Sequence, residues 1–355
     1  MRLPFEPPVE PMLAKPSSGL PEGDGWLFEP KWDGFRAIVF KDGDEIYTQS
    51  RDLKPLDRYF PELAEPFRAQ LPERCVLDGE IVIATDGALA FESLLIRIHP
   101  AESRVRMLAA ESPASFVAWD LLALDDEDLR AVPQGERRER LASLLAGVEP
   151  PIHLTPATTD RALAADWFDR FEGAGLDGVI AKHPEHPYQP NARAMFKVKH
   201  QRTADCVVCG FRLHKTEPEA IGSLLLGLYA DGENAPRWAR SFGGLLPIGA
   251  TASFPMARRR ELLVELRPLQ IEAVDHPWGG GLHNERDGNR WNPAREQKFV
   301  PLAPERVVEV RYDHMDGGFL RHPATFLRWR PDRDAASCGF DQLEQVVGFD
   351  VAEIL

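Results

Sequence analysis

The chain has 355 residues, which at roughly 100–200 residues per domain predicts two domains or three small ones and excludes a single small module. Apolar residues make up 43% and charged residues 28%, ordinary globular values that exclude a disordered chain. The net charge of −14 excludes a uniformly basic nucleic-acid-binding coat but leaves room for a local basic cleft, because phosphate binding depends on where the Lys and Arg stand rather than on their sum.

Prolines number 31 against an average of roughly 5% of a chain, which predicts extended connectors and rigid turns in place of long helices. Cys75, Cys206, Cys209 and Cys338 are too scattered for a disulfide scaffold, so a reducing cytosol is expected. Cys206 and Cys209 have C-x-x-C spacing, but a structural zinc needs further ligands and the chain has no second pair, so they read as apolar strand residues. The opening MRLPFEPPVEPMLAKP lacks the charged and apolar regions of a signal peptide. No stretch approaches the roughly 18 apolar residues of a membrane span. A soluble cytoplasmic protein without membrane contact is expected.

In chain order, Ile81–Ala84 and Phe116–Leu122 read as strands, rich in β-branched and aromatic residues and flanked by Gly or Asp. Glu136–Ala146 reads as a helix with Leu141, Leu144 and Leu145 at helical spacing, and Thr159–Phe171 as another carrying Leu163, Trp167, Phe168 and Phe171. Gly178–Lys182 is again a strand. The polar stretch Lys199–Asp205 (KHQRTAD) reads as a linker, placing domains at 1–203 and 204–355. Beyond it the short strands Cys206–Phe211, Ser223–Ala230, Val307–Tyr312 and Phe326–Arg330 suggest a small β-barrel, for which the nucleic-acid-binding OB fold is a common solution.

The chemistry begins with EPKWDGFR, Glu29 to Arg36. A K-x-D-G match alone is weak and reads equally as a charged turn. It gains weight from six further motifs in chain order: Ser50-Arg51, LDGE at Leu77–Glu80, FVAWD at Phe116–Asp120, DGVIAK at Asp177–Lys182, FKVK at Phe196–Lys199 and RWRPDR at Arg328–Arg333. This ordered set resembles the covalent nucleotidyltransferases, and within them the ATP-dependent DNA ligases. The stretches PMLAKP, KVKHQRTADCVV and HPATFLRWR are most similar to the small bacterial LigC-type members. The resemblance covers nearly the whole chain. It implies an α+β fold: an adenylation domain of antiparallel sheets with flanking helices, followed by an OB-fold barrel. It also implies sealing of 5′-phosphate/3′-hydroxyl nicks in duplex DNA through a lysine-AMP intermediate, with ATP as adenylyl donor, Mg²⁺ (or Mn²⁺ in its place) as metal, and DNA repair as setting. A monomer in the bacterial cytosol, associated with the nucleoid, is expected.

By the same resemblance Lys31 is the nucleophile. With a reference pKa near ~10.4 almost none of it would be neutral at physiological pH, so neighbouring cations are expected to favour the free amine, with Lys197, Lys199, Arg36 and bound metal as candidates. Asp33 is an orienting group for Lys31 or Arg36, or a turn residue. Glu80 is implied as a ribose or metal contact. Asp177 is implied as a Mg²⁺ ligand or water-holder, although the family usually has Glu there and the shorter Asp favours contact through water. Glu29 is implied as acceptor for the adenine exocyclic amine. Trp119 is implied as the adenine stacking platform, worth roughly 1–3 kcal/mol, with a core Trp as the alternative. In a regular strand Val117 and Trp119 share one face, and Phe116, Ala118 and Asp120 the other.

Arg51, Lys182, Arg193, Lys197 and Lys199 are implied phosphate contacts, with Arg36 also placed on ATP. Arg330 and Arg333, with Asp332, would orient the β- and γ-phosphates in the first step only, which requires the barrel to close on the nucleotide and swing away. Arg258–Arg260 reads as a solvated helix face or a DNA-backbone contact, and the Gly-rich stretch His276–Trp291, with Arg286 and Arg290, as a duplex contact or a mobile loop. His183 and His186 lack a third metal ligand. Three other readings are set beside this one: an RNA ligase, an mRNA-capping guanylyltransferase, and a non-catalytic OB-type binding protein, for which nothing calls for a lysine nucleophile. An NAD-dependent ligase is disfavoured by the missing four-cysteine zinc module and by RWRPDR, which belongs with a triphosphate.

Overall fold

Strands in the first two hundred residues pair into two larger sheets and a short hairpin of Ala84–Thr85 with Ala88–Leu89. The computed structural model describes residues 1–200, 202–230, 244–278, 299–313, 315–316, 318–343 and 349–355, and these group into two units, Met1–His200 with Val346–Leu355, and Gln201–Gln345. The smaller sheet of the first unit runs in the order Ala14–Ser17, Met195–Val198, Val179–Lys182, Leu27–Pro30. The larger runs Ile152–Leu154, Ser115–Leu124, Arg74–Val82, Phe35–Asp42, Glu45–Ser50, with Glu127–Asp128 folded back on Ser115–Leu124.

Most pairings are antiparallel, but Ala14–Ser17 with Met195–Val198 and Ile152–Leu154 with Ser115–Leu124 are parallel. A parallel pair needs a crossover, and the helix Gln134–Leu144 supplies it between Ser115–Leu124 and Ile152–Leu154. The strand Arg74–Val82 is buried almost throughout because both its faces are covered. Cys75, Leu77 and Ile81 enter one core cluster, while Val76 and Val82 enter two others. The helix expected over 159–171 runs over Arg161–Arg170, and Asp160 caps it by accepting from the N–H of Ala162 at 2.8 Å. That cap satisfies an end donor the helix cannot pair internally.

The second unit is an antiparallel sheet in the order Leu245–Thr251, Ile221–Tyr229, Arg202–Leu213, Val307–Tyr312, Thr325–Trp329, with Val300–Pro301 on Arg202–Leu213. Its two edges meet again. Thr251 bridges Ala324, and the Ala324 N–H donates to the Ala250 carbonyl at 2.9 Å. That contact closes the sheet into the barrel of an OB fold, which removes the exposed edges. Cys206, Cys209 and Cys338 lie in its core as free, buried thiols, and the helix Met256–Leu266 adds Leu262, Leu263 and Leu266.

Two sequence expectations change. The stretch Lys199–Asp205 is not all linker: from Arg202 it is already strand, pairing in register with Tyr312 to Glu309. Polar side chains at a strand start do not prevent its backbone from joining a ladder. The final residues, read as the tail of the second domain, pack instead on the first unit, where Val351 is fully buried. Among the described residues no helix is long and apolar enough to cross a membrane.

Candidate active site around Lys31

Lys31 comes directly after the strand Leu27–Pro30, whose ladder with Val179–Lys182 continues past the strand ends. The Lys31 N–H donates to the Gly178 carbonyl at 2.8 Å, and the Asp177 N–H donates to the Lys31 carbonyl at 2.9 Å. These two bonds fix the D-G of DGVIAK against the nucleophile candidate. Gly178 is required there, because its φ is +128° and a Cβ would lie 2.0 Å from the Val198 carbonyl oxygen. Gly34 of K-x-D-G is required by proximity: a Cβ would lie 2.2 Å from the Ile81 carbonyl oxygen, and the Gly34 N–H donates to Glu80 Oε1 at 3.1 Å. The first motif is thus pressed directly onto the strand carrying LDGE.

Asp177 sits between two ammonium groups, with Lys31 Nζ at 2.6 Å and Lys199 Nζ at 2.8 Å from its Oδ2. Burial pushes the Asp177 carboxyl up, but Lys31 and Lys199 together hold it well below the usual carboxylate range. The carboxylate expected to serve a metal is therefore first of all the counter-ion of Lys31 and Lys199. Lys197 is pulled down by burial and then by the charges of Lys199, Lys31, Arg51 and Arg193. Lys197 thus feels the charges of Lys31, Arg51, Arg193 and Lys199, which makes these cations, spread over the sequence from 31 to 199, an electrostatic cluster centred on Lys197. Such a cluster is a site for a polyanion.

Glu80 is buried, and burial, reinforced by Asp33, pushes its carboxyl up to about 8 against the opposing pull of Lys31, Arg36 and the Gly34 N–H. A group whose folded value is raised contributes stability below its unfolded value and loses it as pH climbs through the folded value. Wild type should therefore lose stability relative to Glu80→Gln as pH rises from about 4.5 to about 8, readable as a widening gap between the two melting temperatures. A gap independent of pH would show that Glu80 is ionised throughout. Among the described residues no cluster of three or more His, Cys, Asp or Glu could hold a metal by itself. Glu80, a hard oxygen donor beside the cation cluster, nonetheless suits Mg²⁺, which characteristically takes one or two carboxylates and completes its shell with phosphate oxygens and water.

Two residues before Lys31, Glu29 Oε2 accepts from Lys182 Nζ at 2.6 Å, both side chains being 3% exposed. Glu29 Oε1 is buried with no hydrogen-bond partner. An unpaired buried acceptor costs free energy until a donor fills it. Lys182, implied as a phosphate contact, is thus neutralised by Glu29 and lies 5.8 Å from the centre of the Trp119 ring.

Trp119 itself is half-buried and stands at a β-bulge. Asp78 and Gly79 face Asp120 and Ala118, so Trp119 is the extra residue. The bulge corrects the regular alternation. Val117 and Trp119 do share one cluster, but the phase then slips and Leu121 joins Phe116 and Ala118 in the other. Asp120 is held by Arg137 through two bonds of 2.8 Å, with both side chains buried.

Arg36, expected near phosphate and among the cations acting on Lys31, is committed elsewhere. It forms a bidentate pair with buried Asp78 (2.9 and 2.5 Å), donates to the Met12 carbonyl, and lies 5.4 Å from the Trp119 ring centre. Tyr188 donates to the same Asp78 at 2.9 Å and accepts from the Met12 N–H at 3.0 Å. Asp78 and Tyr188 were missed as site residues. Asp78 stands in LDGE, where a charge inside an apolar strand is itself a signal of a buried partner, whereas nothing local marks Tyr188. Asp33 lies close enough to Glu80 for their charges to interact.

In the second unit Arg330 bonds both oxygens of Asp205 (3.0 and 2.9 Å) and also Asp332 at 2.8 Å. Arg333 donates to the Ser337 carbonyl at 3.1 Å. The RWRPDR turn is thereby tied to its own barrel, and Arg330 faces carboxylates in place of phosphate. In the Arg258–Arg260 run, Arg258 pairs with Glu261 and Arg260 with Glu217, while Arg259 caps the carbonyls of Ile221, Gly222, Ala252 and Phe254. One of the three is thus a structural staple. Of the stretch 276–291 only the first three residues are described, and Arg286 and Arg290 lie outside the described residues. His183 and His186 stack on each other at 4.5 Å.

Residues 11–199 match the ATP dependent DNA ligase domain, and residues 217–333 the ATP dependent DNA ligase C terminal region. The chain is 53% identical to DNA ligase C of Mycobacterium tuberculosis over 100% of this chain and 99% of that protein. It is 53% identical to DNA ligase C2 of Mycolicibacterium smegmatis over 97% and 96%. A solved structure from a structure-function analysis of Lig E DNA ligases shares the fold, with a TM-score of 0.55 and 17% identity over 90% of this chain and 99% of that one. With two family domains in order and half its residues shared with DNA ligase C along its whole length, the chain belongs to the ATP-dependent DNA ligase family.

Proposed function

We propose that this ligase seals 5′-phosphate/3′-hydroxyl nicks in duplex DNA through an adenylate on Lys31. The observation that carries the reading is the Lys31 amine, held at 2.6 Å by Asp177 inside a cluster of cations suited to a triphosphate. In the first step Lys31 Nζ, as the free amine, attacks the α-phosphorus of ATP, an N–P bond forms with loss of an amine proton to solvent, and the P–O bond to the leaving pyrophosphate breaks. The hydrogen bond to Asp177 aims the amine, while Lys197, Lys199, Arg51 and Arg193 bind the phosphates and offset the charge that develops on the leaving group. Glu80 would hold Mg²⁺, which when bound neutralises the phosphate oxygens. AMP then passes to the 5′-phosphate of the nick, and attack by the 3′-hydroxyl expels it.

Glu29 and Trp119 select the base. Glu29 Oε1, buried and unpaired, accepts from the adenine exocyclic amine, whereas guanine presents a carbonyl oxygen there, which the carboxylate repels. This favours a DNA ligase over a capping guanylyltransferase. Asp33 orients the Lys31 turn, and Arg36 acts on the base through Trp119. Arg330 and Arg333 reach the β- and γ-phosphates only if the barrel domain carries RWRPDR to the nucleotide in the first step. A monomer is proposed, with DNA repair in the cytosol, close to the nucleoid, as its setting.

The test tracks label from α-labelled ATP or GTP, with Mg²⁺, to the protein and then to nicked DNA or nicked RNA. Label is expected to pass from ATP and not GTP to the protein, and onward to DNA. Since the net charge is −14, nick binding must rely on a local basic surface, and its log–log salt slope should be about −0.9 per neutralised phosphate. Protein-AMP formation in an enclosed site should respond to salt far less. Salt-insensitive nick affinity, or strong dependence on nick sequence, would favour an OB-type sequence-selective binder instead.

A further inference from the structure

The segment Phe349–Leu355 lies beside the nucleophile turn and packs on the first unit: the Val351 N–H donates to the Gly87 carbonyl at 2.7 Å and its side chain is 1% exposed. The Phe349 ring lies 4.8 Å from that of Phe171, with the Arg170 guanidinium 5.2 Å from its centre. Asp350 accepts from the Ala352 N–H at 2.9 Å, turning the chain so that Ile354 and Leu355 face the same cluster. That cluster is built on Trp32, Val82, Val117, Leu176 and Val351, with Trp119 against it. Four of these adjoin the site in sequence: Trp32 is next to Lys31, Val117 and Trp119 form the base-stacking strand, and Leu176 precedes Asp177.

Polar bonds tie the same pieces together. The Trp32 indole N–H donates to Thr155 Oγ1 at 2.8 Å, and the Thr155 N–H donates to the Ala118 carbonyl at 2.9 Å, between Val117 and Trp119. The only regular structure described in the terminal segment is a single three-residue 3-10 turn, Val351–Glu353, so the segment is held by burial of its side chains in the cluster that also contains Trp32 and Val117, together with the Gly87 and Phe171 contacts. The opposite large core cluster, around Leu77, Phe116 and Leu141, contains none of its residues.

We infer that the C-terminal segment is a positioning element of the adenylation site, with Val351 as its anchor: it buttresses Trp32 and Val117 and thereby sets the Lys31 turn and the Trp119 platform. The inference rests on Lys31 being the nucleophile. Val351 touches no reacting atom and acts through Trp32. Because the segment comes after the barrel in sequence yet packs on the adenylation unit, a cut or modification within it would reach the chemistry of Lys31 through Trp32 without involving the barrel.

The experiment measures Lys31-AMP formation in single turnover, across ATP concentrations, for the full chain and for Val351→Asp, Val351→Ile and Leu141→Ala, with the folded fraction of each taken from its melting curve. Leu141→Ala opens a cavity in the opposite cluster and controls for lost stability alone. Val351→Asp is expected to lower the rate at saturating ATP, per folded molecule, by about 10- to 100-fold, as misplacement of reacting groups does. Val351→Ile should keep most of the rate, and Leu141→Ala should melt earlier at an unchanged rate. Equal rates for folded Val351→Asp and wild type, or equal losses in Val351→Asp and Leu141→Ala, would overturn the inference. If Val351→Asp does not fold, Phe349→Ala takes its place under the same criteria. Absence of label on wild type would instead overturn the nucleophile assignment itself.

Discussion

Lys31→Ala and Lys31→Arg are both expected to abolish protein-AMP, a loss of roughly three orders of magnitude or more, as removing a catalytic nucleophile costs. The arginine variant is the sharper of the two. It keeps a cation opposite Asp177, but its guanidinium stays protonated and has no lone pair to offer phosphorus. Folding should survive, since the Lys31 side chain is 19% exposed and Asp177 keeps Lys199 at 2.8 Å. On a nick already carrying 5′-adenylate the same variants should lose activity only as far as Lys31 orients phosphate in the last step. Intact-mass measurement after incubation with ATP decides it, and robust adenylation of Lys31→Ala would sink the assignment.

Asp78→Ala is expected to have the largest effect on stability among changes near the site. It strips the partner from Arg36, a guanidinium only 13% exposed whose acceptor is fully buried. Breaking a buried pair from one side typically costs about 3–5 kcal/mol, because the remaining charge is left uncompensated. For a unit of this size that corresponds to a fall in melting temperature of roughly 6–20 °C. The double change Arg36→Met/Asp78→Leu removes both charges and should recover much of the loss. It should not restore ATP affinity, because the cation 5.4 Å from the Trp119 ring is gone. A double variant as unstable as Asp78→Ala would show that the pair matters for its shape rather than its charge.

The residues proposed to carry the chemistry are legible along the chain because seven short motifs stand in an order that resembles that of the ATP-dependent DNA ligases. The close approach of Gly34 to the strand of Glu80 and the positive φ of Gly178 give the glycines of K-x-D-G and D-G-V a physical reason that no single motif shows by itself. Strands differ: Ser115–Leu124 is visible as the run Phe116–Leu122, whereas of Arg74–Val82 only the end is, in Ile81–Ala84, because Asp78, Gly79 and Glu80 interrupt its apolar residues. The barrel is visible as short runs with turns between, although its closure through Thr251 and Ala324 is not.

Which charge faces which was decided only by the tertiary structure. Lys31 meets Asp177 across 146 residues and Arg36 meets Asp78 across 42, and a carboxylate next to glycine reads the same whether it faces a metal, a phosphate-binding lysine or a buried arginine. The bulge at Trp119 depends on the neighbouring strand's register, which one strand's alternation cannot reveal. The last seven described residues carry no motif and almost no regular structure. They belong to the adenylation unit because Val351 is buried there in the cluster of Trp32 and Val117, and burial, which acts through space without regard to sequence distance, outweighs their position after the barrel.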